Sequence, residues 1–328
     1  MGRFGRLVIS LAVGVIAAVA GGVLFVAVPD STYELLGIVL ALLVTLAGVK
    51  LGSNLGASVL AEYDVAEVAV EGPITRDSGS SPLSSGPIGT AADDIVEQID
   101  RADEDGNVDA LLVKLNTPGG EIVPSDDIRR AVARFDGPTI GYATDVCASG
   151  GIWIATGCDE LWAREESVVG SIGVRGSQYN ATELADRIGI SYERFVAGEF
   201  KDAGSPLKEL EPEEREYIQG RIDDYYDRFV ANVAEGMDLD EETIRDTEAR
   251  VYLGSDAREL GIVDDLGTGR EVENRVAERL GVEEVTVRQF APDRRLTERL
   301  RGGAATVAYA FGAGVAGAVV DTDEFRFR

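Results

Sequence analysis

The 328-residue sequence contains no histidine. That removes the commonest general base and the commonest metal ligand, and it excludes any Ser-His-Asp arrangement. Lysine is scarce as well: of 31 basic residues, only Lys50, Lys114, Lys201 and Lys208 are lysines. The two cysteines, Cys147 and Cys158, cannot form a disulfide framework, and without histidine they offer no metal-ligand spacing. Neither a metal nor a cofactor is expected. Against so few cations stand 58 acidic residues, giving a formal net charge of −27. Such a surface repels phosphate backbones, so no nucleic-acid partner is expected. Acidic, lysine-poor surfaces suit high salt, where carboxylates stay hydrated and their repulsion is screened. The composition therefore reads as halophilic.

Long apolar runs are present, and they lie at the ends of the chain. Residues 7–28 carry no charge and are numerous enough to span a bilayer as a helix. A second run, 35–49, follows a short acidic loop and reaches spanning length if Lys50 snorkels. A multi-pass helical hairpin over 1–52 is the preferred reading, and a single span is the other. With Arg3 and Arg6 before the first run and Lys50 after the second, two spans leave both ends cytoplasmic. One span places the rest of the chain outside. A third run, 303–320, is rich in Gly and Ala and lies in a C-terminal tail, 291–328; it could touch membrane, cover a neighbouring subunit or stay loose.

Between these ends the pattern alternates. A strand is predicted over 64–70, a Ser/Gly/Pro-rich loop over 77–90, a helix over 91–102 and a strand over 109–115 running into "NTPGG". A helix near 125–135 and a strand at 138–143 lead to "CASGGIWIAT", and "ELWA" makes another strand. The stretch "EPEEREYIQGRIDDYYDRFVANVAEG" has the proline and acids of a helix start, followed by amphipathic spacing. Strand, turn and helix keep alternating over 60–290, which predicts an α/β fold with mostly parallel pairing.

Ser149 sits in that strand-to-helix turn, beside Gly150 and Gly151. A serine hydroxyl is a weak nucleophile until a base takes its proton. With no histidine and carboxylates too weakly basic, lysine is the leading candidate. Burial lowers a lysine pKa by up to about 3–5 units, enough to leave it neutral. Lys50 stands at the end of an apolar run and Lys114 within a strand, which leaves Lys201 and Lys208 in "GEFKDAGSPLKELEPEE". Cys147, two residues from Ser149, is a rival nucleophile.

Taken singly, Pro-Gly-Gly is a turn and Ala-Ser-Gly-Gly a helix entry. Together and in order, "NTPGG", "ASGG", "VVGSIGV", "GEFKDAGSPLKELEPEE" and "VYLGSDARELGIVDDLG" resemble the signal peptide peptidase A family, over roughly residues 64–268. The resemblance implies a ClpP/crotonase-like spiral of ββα units and a membrane-bound serine peptidase with a Ser-Lys dyad. Carried onto this sequence, it implies Ser149 as nucleophile and Lys201 as general base. It implies Ser171 as the hydroxyl that orients the lysine, and Gly120 and Gly150 as the backbone donors of an oxyanion hole. It also implies hydrophobic peptide substrates such as remnant signal peptides. A homo-oligomer whose sites are shared between protomers follows from it as well, as does a peptidase domain outside the cytoplasm. Asp202 stands where the family often has a small polar residue, and a carboxylate there favours a charged amine unless its side chain points away. Two other readings share the fold: a crotonase-like acyl-CoA enzyme, which would not need Ser149, and a non-catalytic membrane scaffold.

Overall fold

The computed structural model describes residues 2–24, 34–59, 63–76 and 90–292. Two N-terminal helices, α1 (Gly2–Gly22) and α2 (Glu34–Val59), pack against each other through small residues. A Cβ on Gly48 would come within 2.2 Å of the Ala17 Cβ, and one on Gly14 within 2.6 Å of Val49 Cγ2. The Ser10 hydroxyl donates to the Val49 carbonyl at 3.2 Å. Gly14 lies by Val49 and Gly21 by Ala41, so the helices run antiparallel as a hairpin. The expected membrane spans are not supported: among the described residues, no helix is long and apolar enough to cross a membrane. Of the 7–28 run, α1 covers residues 7–22, and residues 25–28 lie outside the described residues; the apolar part of α2 ends at Lys50.

After the hairpin come β1 (Val65–Glu71), β2 (Ile74–Thr75), β3 (Thr90–Ala91), α3 (Ala92–Asp103), β4 (Ala110–Thr117) and α4 (Ile122–Ala133). Then follow β5 (Thr139–Ala148), α5 (Gly150–Ala155), β6 (Glu160–Ala163), β7 (Val168–Gly170), α6 (Thr182–Arg187) and α7 (Pro212–Gly236). The described part closes with α8 (Glu241–Asp246), β8 (Val251–Leu253), α9 (Gly254–Glu259), β9 (Asp265–Leu266), α10 (Gly269–Leu280) and β10 (Val287–Phe290). The main sheet runs β10-β1-β4-β5-β6-β9, all parallel; β7 adds to β5 in parallel, and β8 to β7 antiparallel. The fold is thus α/β with a mixed sheet, and β2 and β3 form a small separate pair.

Both faces of the sheet are covered, which explains why "ALLVKL" in β4 reads as a nearly unbroken apolar run. Leu111, Val113 and Leu115 pack in one core with Ile95 and Ile99 of α3, Ile128 of α4 and Ile152 of α5. Ala110 and Leu112 face the opposite core, with Val272 and Val276 of α10 and the rings of Tyr142 and Trp162. Each aliphatic side chain fully buried this way contributes roughly 1.5–3 kcal/mol.

One strand aims the site. The first half of β5 pairs with β6 through Ile140–Ala143, and its last residues, Val146–Ala148, pair with β7. Its register with β4 shifts between Leu115 and Thr117. That irregularity turns the end of β5 toward the "PGG" loop that leaves β4. The chain divides into units Met1–Phe290 and Ala291–Arg328. The apolar run 303–320 and all but the last residue of the 77–90 loop lie outside the described residues.

Candidate active site

Ser149 caps α5 with φ 52° and ψ −112°, a backbone conformation an L-residue rarely adopts. Such strain costs of order 1–3 kcal/mol and persists only where neighbours impose it. Here they do. The Ser149 N–H donates to the Gly170 carbonyl at the end of β7, at 2.9 Å, and its carbonyl accepts from Trp153 at 3.1 Å. The turn therefore sits half-buried at the carboxyl edge of the sheet, with Ser149 lining a cleft of about 990 Å³.

The "PGG" loop forms the facing wall. Gly119 has φ 90°, and a Cβ on it would lie 2.5 Å from the Gly150 amide nitrogen. Gly120 is bridged to Ile74: Ile74 N–H donates to Gly119 O at 3.0 Å, and Glu121 N–H to Ile74 O at 2.9 Å. A Cβ on Gly120 would fall 2.0 Å from the Ile74 carbonyl oxygen. Only glycines allow this approach. Thr117, fully buried, fastens the loop: its hydroxyl donates to Gly72 O at 2.6 Å and accepts from Gly119 N at 3.0 Å. Among the described residues the amides of Gly120 and Gly150 have no backbone acceptor, and a Cβ on Gly150 would lie 3.2 Å from the Gly120 nitrogen. Two unspent donors thus sit side by side next to Ser149. Because α5 has only six residues, these two N–H groups matter more than a helix dipole.

Ser171, just beyond β7, has φ 54° and donates its N–H to Arg250 O at 2.8 Å. It lines the same cleft as Ser149, Gly120 and Gly150. The structure thereby brings together four of the five residues singled out above. Lys201 is the exception: it is exposed and is not among the residues lining this cleft. Among the described residues it makes no ion pair.

The rivals fall away on geometry. Cys147 is wholly buried, and that burial pushes its thiol up to about 12, leaving no thiolate to attack. Lys114 pairs with Glu71 at 3.7 Å. Lys208 is held by Glu214 and lies 3.4 Å from Asp202, and its hydrogen bond to Glu214 raises it above the ordinary lysine value. It is an ammonium, not a base. The Asp202 carboxylate is engaged by Arg194, at 2.5 Å from Nε and 2.7 Å from Nη2. Burial pushes its carboxyl up, but the hydrogen bonds from Arg194 and Lys208 outweigh this and hold it below the usual range.

Sequence reasoning missed the rest of the cleft. Ile222, Tyr226 and Phe229 of α7 form an apolar wall, and Trp153 packs on Phe229 with ring centroids 5.1 Å apart. The amphipathic spacing of α7 announced such a face without saying what it would cover. Ser125, buried on α4 with its hydroxyl donated to Glu121 O at 2.8 Å, also reaches the cleft, and no motif signalled it.

A strained serine turn beside two free amides suits acyl transfer, and comparison with known proteins agrees. Residues 134–283 match the family model described as peptidase family S49. The slr0021 protein of Synechocystis sp. is 34% identical over 61% of this chain and 74% of its own length. This chain belongs to peptidase family S49. The peptidase is accordingly a serine peptidase, similar to the chloroplastic serine protease SPPA of Arabidopsis thaliana at 27% identity over 62% of this chain. It spans only 30% of that relative's length. Among solved structures, ClpP1 from Listeria monocytogenes aligns with 62% of the peptidase and 92% of its own chain, at 16% identity and a TM-score of 0.42.

Proposed function

We propose that this peptidase hydrolyses hydrophobic peptides, remnant signal peptides among them, at a Ser149–Lys201 pair completed between two copies of the chain. The observation that carries the reading is the separation of the parts. Ser149, Ser171 and the free amides of Gly120 and Gly150 share one cleft, whereas Lys201 stands exposed away from it. The other described lysines of the soluble part, Lys114 and Lys208, are committed to carboxylates. The segment around Lys201 also bears apolar side chains in the open, with Tyr179 at 87% and Phe195 at 88% exposure. Surfaces of that kind fit a second copy.

In the proposed reaction, the neutral Lys201 amine of one chain, oriented by Ser171, takes the Ser149 hydroxyl proton as Oγ attacks a peptide carbonyl in the other. The Gly120 and Gly150 amides hold the oxyanion. The ammonium then gives its proton to the departing amine, and water, deprotonated by the same lysine, releases the acyl group. The apolar wall of Trp153, Ile222 and Phe229 favours hydrophobic side chains.

The hairpin turns Leu11, Ile16, Val19, Leu42, Leu43 and Leu46 outward. We place it against lipid, so that the peptidase works at a membrane, and read the acidic surface as adaptation to high salt. The test is hydrolysis of a mixed peptide library in concentrated potassium chloride, with Ser149→Ala alongside. Cleavage enriched at apolar residues and absent from the variant is expected; cleavage surviving in the variant would refute the assignment.

A further inference from the structure

The sequence raises a chemical problem at Lys201: a carboxylate, Asp202, is its immediate neighbour, and a nearby anion stabilises the ammonium over the neutral amine. The structure shows how that anion is occupied. Arg194 donates to Asp202 Oδ1 from Nη2 and sets its Nε 2.5 Å from Oδ2, which is buried and among the described residues accepts no hydrogen bond. Lys208 approaches Oδ1 at 3.4 Å, and Lys208 in turn contacts Glu214 of α7. Glu214 is buried, and its second oxygen accepts from the Glu211 N–H at 3.2 Å. The other neighbour of Lys201 is fixed as well. The Phe200 ring stacks on Tyr217 of α7 with centroids 4.9 Å apart and planes 25° apart. Glu214 and Tyr217 are three residues apart, so they share one face of α7. Both flanks of Lys201 are therefore tied to a single turn of one helix, while Lys201 itself stays exposed.

We propose that Arg194, Lys208 and Glu214 are positioning residues for Lys201, keeping the Asp202 carboxylate occupied while the Phe200–Tyr217 stack fixes the other flank, so that the amine is presented outward, free of its neighbouring anion. The inference rests on the reading of Lys201 as the proton acceptor. Within this cluster the charges balance, Arg194 and Lys208 against Asp202 and Glu214, while Glu199, two residues before Lys201, adds a carboxylate outside it. Losing Lys208 leaves a net negative charge beside Lys201, and losing the charge of Glu214 leaves a net positive one. These two changes push the lysine in opposite directions, which a mere staple of the fold would not do.

The experiment is kcat/KM against pH for oligomeric full-length Lys208→Met, Glu214→Gln and Lys208→Arg, with Lys201→Ala as control. Lys208→Met is expected to move the alkaline rise of the profile up by roughly one pH unit. Glu214→Gln should move it down, and Lys208→Arg should leave it in place. Adding Asp202→Asn to Lys208→Met should return the profile toward that of the parent, and this pair serves if Glu214→Gln does not fold. Superimposable profiles for parent and Lys208→Met, with Lys201→Ala inactive, would overturn the positioning role alone. Activity surviving in Lys201→Ala would overturn the underlying reading of the base and this inference with it.

Discussion

At the scale of residues, the site is made of backbone as much as of side chains. Ser149 is strained, Gly119 has a positive φ, and Gly120 lies where a Cβ would strike the Ile74 carbonyl at 2.0 Å. Gly120→Ala must therefore displace the loop that carries one of the two free amides. Loss of one such donor lowers a rate by about 10²–10³, and a fall in kcat of at least that size, with the fold intact by circular dichroism, is the expected outcome. Cys147 makes the contrasting case. Buried and protonated, it packs and does not react. Cys147→Ala should retain hydrolysis while losing a little thermal stability, and thiol alkylation of the native protein should leave the activity standing.

The same residues show what was legible beforehand. Ser149 stood out in its strand-to-helix turn, whereas Ser171, Gly120 and Gly150 were pointed to by the family resemblance that their motifs carry; all four line one cleft. Scarcity narrowed the base to Lys201 and Lys208, and the resemblance then pointed to Lys201. Its distance from Ser149's cleft could not be read, because no local pattern encodes which chain completes a site. Asp202 stood out beside Lys201, but its contacts with Arg194 and Lys208 were hidden, for an ion pair depends on loops folding back onto α7.

At the scale of elements, the strands and helices expected over 64–163 and the long helix over 211–236 fell close to their expected positions, since period-two and helical spacing survive burial. The expected helix near 125–135 begins earlier, at Ile122, with Pro124 in its first turn where a missing N–H costs nothing. The strand expected at 138–143 runs on to Ala148, because the second half of β5 finds a different partner, β7. The N-terminal runs were expected to form a membrane-spanning helical hairpin; α1 and α2 do pair antiparallel, but among the described residues no helix is long and apolar enough to cross a membrane. One element is tied to the sheet by charge as well as by its buried apolar face. Arg275 of α10 makes a two-pronged contact with Glu160 of β6 at 2.8–2.9 Å, and Arg279 adds another at 2.6 Å. Hydrogen bonds from Arg275 first, against an upward push from burial, and then from Trp162 and Arg279 hold the Glu160 carboxyl down at about 2. Its stabilising effect is present above the ordinary carboxylate range and fades as pH falls from about 4.5 toward 2. Glu160→Gln should cost on the order of 1–3 kcal/mol at neutral pH, read from denaturant midpoints. The gap from the parent should close on acidification; a gap constant with pH would contradict the assignment.

At the scale of the whole molecule, α7 links two functions. Its C-terminal half walls the Ser149 cleft through Ile222, Tyr226 and Phe229, while its first turns anchor the Lys201 segment through Glu214 and Tyr217. In a composite oligomer one helix would then bear on two sites at once, its own cleft and the one its lysine serves. The exposed apolar side chains flanking Lys201 would be covered by the same contact that completes the chemistry. Assembly and activity should therefore be lost together: Phe195→Asp, at a side chain 88% exposed, should dissociate the oligomer and abolish peptide hydrolysis without unfolding the monomer.

The most direct measurement mixes Ser149→Ala and Lys201→Ala subunits, each inactive alone, and follows peptide cleavage in oligomers verified to contain both. Restored cleavage is expected, because some sites would pair an intact Ser149 with an intact Lys201 from the neighbouring chain. Mixed oligomers that stay inactive would contradict a site shared between chains.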